Sequence, residues 1–222
     1  VDFSPYQYVA LSDQDDIWLR RKLKLSIDRI RQNGVAGFSS DVIALWPDGR
    51  REVIRKSQEQ RPLDHLFESA GQGCTYVITS DCAIRFQNFL VNNRQQVDMV
   101  TFHDWMLYAW CRTQGLRWHI EPNPTLLYRQ HGSNAHGASS GWRALRQRIQ
   151  QVRSGWYRRE VLKISRLVSN QPFFTPECIE MVQLVEASTW LSRIRLAIRV
   201  KNLRRRFKDR ALLVFAFLSG AF

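Results

Sequence analysis

Apolar positions change their spacing several times along the chain, and each change predicts an element. Tyr8-Val9-Ala10-Leu11 is a strand-forming run that stops at Ser12-Asp13-Gln14-Asp15-Asp16. Leu23, Ile27 and Ile30 then recur at helical spacing and Gly34 follows, predicting a helix from about Leu19 to Asn33. Val42 to Trp46, the turn Pro47-Asp48-Gly49 and Val53-Ile54 read as a β-hairpin. A short helix is expected within Pro62 to Glu68. A buried strand is expected over Cys74 to Thr79, after Gly71-Gln72-Gly73. Asp81 is placed to cap a helix carrying Ile84, Phe86 and Leu90, and another helix should run from Asp104 to Gln114. Leu116 to Ile120 and Thr125 to Tyr128 are short strand candidates, and Gly132 to Gly141 is a polar loop.

Beyond Trp142 the texture becomes basic and helical. Leu145, Ile149, Val152 and Trp156 recur at helical spacing, Pro172 and Pro176 interrupt, and a helical stretch follows from Glu177 to about Asp209. Ala211 to Leu218 is continuously apolar. That run is too short to span a bilayer as a helix, and it suits an interfacial anchor beside basic residues.

Charge sharpens this division. The net charge of +13 lies almost wholly in the tail: residues 1–142 carry 16 Lys and Arg against 15 Asp and Glu, residues 143–222 carry 17 against 5. A one-sided basic tail points to an anionic surface, and its interleaving with aliphatic residues favours membrane over nucleic acid. Cys74, Cys82, Cys111 and Cys178 show no zinc-like spacing, and are expected as reduced thiols in a cytosolic setting. No GxxxxGK[ST] or GxGxxG occurs, which argues against a P-loop or dinucleotide-binding turn.

Three stretches could carry chemistry. Asp13, Asp15 and Asp16 crowd the end of a predicted strand, where like charges repel unless they share a proton or cation. Their hard oxygens suit Mg²⁺ or Mn²⁺, while the plainer reading is a solvated turn with Asp16 as helix cap. His103-Asp104-Trp105 sets a carboxylate at a helix start, fit to act as general base toward a hydroxyl or simply to cap the helix. In Tyr128-Arg129-Gln130-His131-Gly132-Ser133-Asn134, Arg129 could neutralise phosphate and His131 could ligate a metal, or the stretch is a strand end and turn. Gly73 before Cys74 and Thr75 would let a ligand approach the backbone closely.

The order Ser-Asp-Gln-Asp-Asp-Ile-Trp, Gly-Cys-Thr, His-Asp-Trp and Tyr-Arg-Gln-His-Gly-x-Asn resembles the family 2 glycosyltransferases, closest to bacterial rhamnosyltransferase-like members that build surface polysaccharides such as O-antigen. The resemblance covers about residues 6 to 138. It implies an α/β, partial GT-A-like mixed sheet with flanking helices over residues 1–141, and a basic helical extension over 142–222 that associates with membrane. It implies an inverting hexosyl transfer from a dTDP- or UDP-sugar to a hydroxyl of a lipid-linked or polysaccharide acceptor, at the inner face of the bacterial plasma membrane. Asp13, Asp15 and Asp16 would hold Mg²⁺ or Mn²⁺ with His131. Asp104 would deprotonate the acceptor, and Gly73, Cys74, Thr75, His103, Trp105 and Arg129 would contact substrate.

In that family a strand–helix unit holding the donor's base and ribose precedes the acidic motif. Only a dozen residues precede Asp13, so the expectation is that this unit is absent from the sequence and that the chain is a fragment or an inactive remnant, if not active as it stands. Rival readings are a basic membrane- or nucleic-acid-binding module and a metal-dependent phosphohydrolase built on His103-Asp104.

Overall fold

In a computed structural model that describes residues 1–130 and 154–222, the strands form two four-stranded sheets. The first has the order β1 (Tyr8–Ala10), β6 (Val77–Thr79), β3 (Gly37–Ser40), β7 (Trp118–Glu121). Its β3/β7 pair is parallel and the other pairs antiparallel. The second has the order β2 (Ile17–Trp18), β8 (Leu126–Arg129), β4 (Val42–Leu45), β5 (Arg51–Ile54), with β8/β4 parallel. The predicted hairpin is β4–β5, in the register Val42 opposite Ile54.

One residue, Asp41, separates β3 from β4, so the chain passes from sheet to sheet there. Its N–H donates to the Glu121 carbonyl at 3.0 Å. Its buried carboxylate accepts from the Lys56 N–H (2.6 Å), the Ser57 N–H (2.9 Å) and the Ser57 hydroxyl (2.9 Å). A carboxylate so satisfied tolerates burial, and it pins the segment after the hairpin to the junction. Close packing also fixes Gly37, where a Cβ would lie 2.2 Å from the Trp118 ring.

Three expectations about local structure shift. Helix α1 is Lys22–Asn33 rather than starting at Leu19, because Ile17–Trp18 pairs with β8 and the Leu19 N–H still donates to Thr125. Gly73–Thr75 is a 3₁₀ turn and not strand: the Thr75 N–H and hydroxyl both return to the Gln72 carbonyl, and these local bonds replace a ladder. Helix α3 (Ser80–Asn92) is capped by Thr79, whose hydroxyl accepts from the Cys82 N–H, leaving Asp81 inside the first turn. The short α2 (Asp64–Phe67), α4 (Arg94–Val97) and α5 (His103–Thr113) complete this part.

The tail forms α6 (Trp156–Val168), α7 (Pro176–Ala187), α8 (Trp190–Ile198), α9 (Val200–Leu203) and α10 (Phe207–Leu218). The stretch read as helical from Glu177 to Asp209 is therefore broken, first at Ser188, whose φ of 47° is left-handed. Leu66, Tyr108 and Trp110 share one apolar core with Val161, Ile164, Met181, Leu196 and Phe217, so these helices pack on the part that carries the sheets. Arg204 and Arg205, although they lie in the basic tail, turn inward. The Arg205 side chain is 0% exposed, 3.2 Å from Asp64 and 3.5 Å from Glu68.

Candidate active site

The carboxylates follow the end of β1, where Leu11 still donates its N–H to Tyr76 of the neighbouring segment. β2 separates them from α1, whose N-terminal flank is Arg21, so Asp16 does not cap that helix. Instead Asp16 folds back on β8, accepting the Arg129 N–H on Oδ1 at 3.3 Å. Oδ2 is buried and, among the described residues, makes no hydrogen bond of good geometry, the Cys74 thiol being its polar neighbour. Burial pushes the Asp16 carboxyl above the usual range, more than the neighbouring Cys74 thiol and the Arg129 N–H offset. Ligand atoms of Asp13, Asp16 and Cys74 all lie within 4.8 Å of one another. Burial also holds the Cys74 thiol far above its ordinary value, so it stands neutral and the donors available are hard carboxylate oxygens. A buried carboxylate oxygen beside a second carboxylate suits a divalent cation, which Asp13 and Asp16, with Asp15 next to them, could hold.

Behind this cluster stands a residue without a sequence signal. Lys22 is 1% exposed, donates to the Cys74 carbonyl at 2.5 Å and lies 3.7 Å over the Trp18 ring. Burial lowers its ammonium to about 8, opposed by nearby acids including Asp16 and Asp13. Its position in an ordinary helical pattern hid it. Only the fold turns that face toward the carboxylates.

A cavity of about 800 Å³ opens beside the cluster. Asp13, Gln14 and Asp15 line one end, and Gly73, His103, Asp104 and Trp105 line it further along. The meeting of the second and third stretches is steric: a Cβ at Gly73 would lie 2.9 Å from His103 Nε2 and 3.1 Å from Asp104 Cβ. What the glycine admits is thus the protein's own His103-Asp104 pair. Asp104 sits in the first turn of α5, where Phe102 is the flanking residue, and its Oδ1 accepts the Trp105 N–H at 2.7 Å. Burial raises its carboxyl, with His103 and that N–H pulling the other way. A carboxylate so tuned is suited to accept a proton from a hydroxyl.

The whole chain is 36% identical over its 222 residues to the dTDP-rhamnosyl transferase RfbG of Shigella flexneri, and it covers 74% of that protein's length. The chain belongs to the rhamnosyltransferase-like glycosyltransferases. No family model matches it. Its mixed sheets and flanking helices form a partial GT-A-like fold, as the motifs implied.

Within this glycosyltransferase the remaining expected site residues separate. Cys74 and Thr75 are buried behind the cavity wall, Thr75 holding the Gln72 carbonyl. Trp105 faces the cavity while its indole N–H donates to the His65 carbonyl at 2.9 Å. Arg129 is exposed and meets Asp16 through its backbone. His131 lies outside the described residues. Lys56, Glu68, Trp156, Tyr157 and Arg204 complete the cavity, although no motif marks them.

Proposed function

We propose that this glycosyltransferase transfers rhamnose, with inversion, from a dTDP- or UDP-sugar to a hydroxyl of a lipid-linked or polysaccharide acceptor in cell-surface glycan synthesis. The observation that carries the reading is that Asp13, Asp15 and Asp104, far apart in sequence, line one cavity. Asp13, Asp15 and Asp16 would hold Mg²⁺ or Mn²⁺, which when bound would stabilise charge developing on the leaving diphosphate. Asp104 takes the proton of the acceptor hydroxyl as its oxygen bonds to the anomeric carbon and the bond to the diphosphate breaks. Gly73 lets Asp104 stand at that point, and the Trp105 N–H orients its carboxylate.

We place the reaction at the inner face of the bacterial plasma membrane. No described helix is long and apolar enough to cross a bilayer. However, the packed helices α8 and α10 leave Trp190, Leu191, Ile198, Phe207, Phe215 and Leu218 exposed among Arg195, Lys201, Arg206 and Lys208. Apolar side chains interleaved with cations suit an anionic lipid interface.

The test is Asp104→Asn, assayed by dTDP release from dTDP-rhamnose with Mg²⁺ or Mn²⁺ and glycan-bearing lipid extract. Loss of the base lowers the rate by about 10²–10⁴-fold. Undiminished transfer would remove Asp104 from the role.

A further inference from the structure

Glu68, Arg204 and Lys56 line the cavity together with Asp104, and Asp64, Arg112, Arg205 and Asp209 form the charged network behind them. Asp64 pairs with Arg112 at 3.1 Å and Arg205 at 3.2 Å. Glu68 meets Arg205 at 3.5 Å and Arg204 at 3.8 Å, and Arg204 also reaches Asp209 at 3.3 Å. Among the described residues these three acids thus pair with three arginines. Lys56 differs from these arginines: it lines the cavity, and its ammonium makes no hydrogen bond or ion pair with any described residue, its charge facing Asp104 without touching it.

Lys56 is held in place by its backbone, through the 2.6 Å bond from its N–H to Asp41 at the junction of the sheets. Burial disfavours its charged form, and the charges acting on it most strongly are those of Glu68, Arg204, Arg205 and Asp209. An anion seated against it would reverse that penalty. Asp13 and Asp16 act on Lys22 and Tyr128 and are not among the charges that act on Lys56, whose carboxylate neighbours are Glu68, Asp209 and Asp104. Its part of the cavity is aromatic: Phe102 meets Trp156 edge-on at 5.5 Å, and Trp105 stacks on Tyr157 at 5.9 Å. Ring faces with one fixed polar anchor are the composition of a site for an amphipathic ring such as a sugar.

We infer that Lys56 receives an anionic group of the acceptor, a phosphate or a carboxylate, in the part of the cavity that it shares with Asp104. The inference rests on Asp104 being the base, since the acceptor hydroxyl must then lie beside Asp104 and so near Lys56. It also gives the C-terminal helices a part in the site: α6 supplies Trp156 and Tyr157, and the segment after α9 supplies Arg204.

The full chain is titrated, with EDTA present, against methyl glucuronide, glucose 1-phosphate and the neutral methyl glucoside, following the Trp indole resonances by NMR. At least one anion should bind more tightly than methyl glucoside, and which one does so assigns carboxylate or phosphate. Lys56→Met should weaken that anion tenfold or more and leave methyl glucoside unchanged, while Lys56→Arg stays within about threefold of wild type, the factor that an order-of-magnitude argument resolves. Equal binding of the anion by Lys56→Met, or no preference for either anion in the wild type, would overturn the inference. Asp104→Asn should keep the anion affinity. Transfer surviving in Asp104→Asn would therefore count against the base alone, and a lost Lys56 contrast against the acceptor anion alone.

Discussion

Arg205→Met tests how the C-terminal helices are fastened to the site. The guanidinium is wholly buried, donates to the Ser69 carbonyl at 2.5 Å, and lies 3.2 Å from Asp64 and 3.5 Å from Glu68, themselves 0% and 6% exposed. Methionine keeps much of the volume but none of the charge. Breaking a buried pair from one side costs about 3–5 kcal/mol because the other charge stays buried. Arg112 remains 3.1 Å from Asp64 and Arg204 remains 3.8 Å from Glu68, so the low end applies, about 3 kcal/mol. With a urea m-value of about 2–3 kcal/mol/M, the unfolding midpoint should fall by about 1–1.5 M. Equilibrium unfolding at pH 7, followed by Trp fluorescence, reads this directly. In the double variant Asp64→Asn/Arg205→Met the losses should be less than additive. A loss below about 1 kcal/mol for Arg205→Met would refute the reasoning, since it would mean the network carries little of the tail's attachment.

Other outcomes follow from single contacts. Gly73→Ala should lower turnover about 10–100-fold while leaving the fold intact, because its Cβ would push on His103 and Asp104; unchanged kcat would contradict the packing. His65 is buried with neither ring nitrogen making a hydrogen bond of good geometry among the described residues, and burial lowers it to about 3 from an ordinary 6.5, against a weak pull from the Pro62 backbone. The unfolded chain therefore takes the proton first: this contribution is complete above 6.5 and is lost as pH falls toward 3, by up to about 1.4 kcal/mol per pH unit. Against wild type, His65→Leu should gain relative stability as pH drops through that window, and a pH-independent difference would count against it. Trp190→Ser/Phe207→Ser should weaken partition onto phosphatidylcholine–phosphatidylglycerol vesicles by about a hundredfold or more, given about 1.5–3 kcal/mol for each of the two apolar side chains buried; equal partition would move the lipid contact elsewhere.

The sequence alone determined the elements whose signals are local. Alternation and a Pro-Asp-Gly turn made β4–β5 legible, helical spacing and Gly34 made most of α1 legible, and Asp13–Asp16 and His103-Asp104 were visible because crowded or helix-start carboxylates are uncommon without a reason. Their order carried the family, which 36% identity to a rhamnosyl transferase over the whole of this chain then showed. Where local bonds compete, sequence misled: Cys74 to Thr79 has strand composition, yet the Thr75 hydroxyl and N–H close a 3₁₀ turn. Tertiary structure decided the rest. Burial of a lysine or arginine depends on partners distant in the chain, so nothing near Lys22, Lys56, Arg204 or Arg205 could reveal which basic residues face inward. Gly73 gained its meaning only when α5 was packed against it, because a missing Cβ matters only to whatever stands in its place.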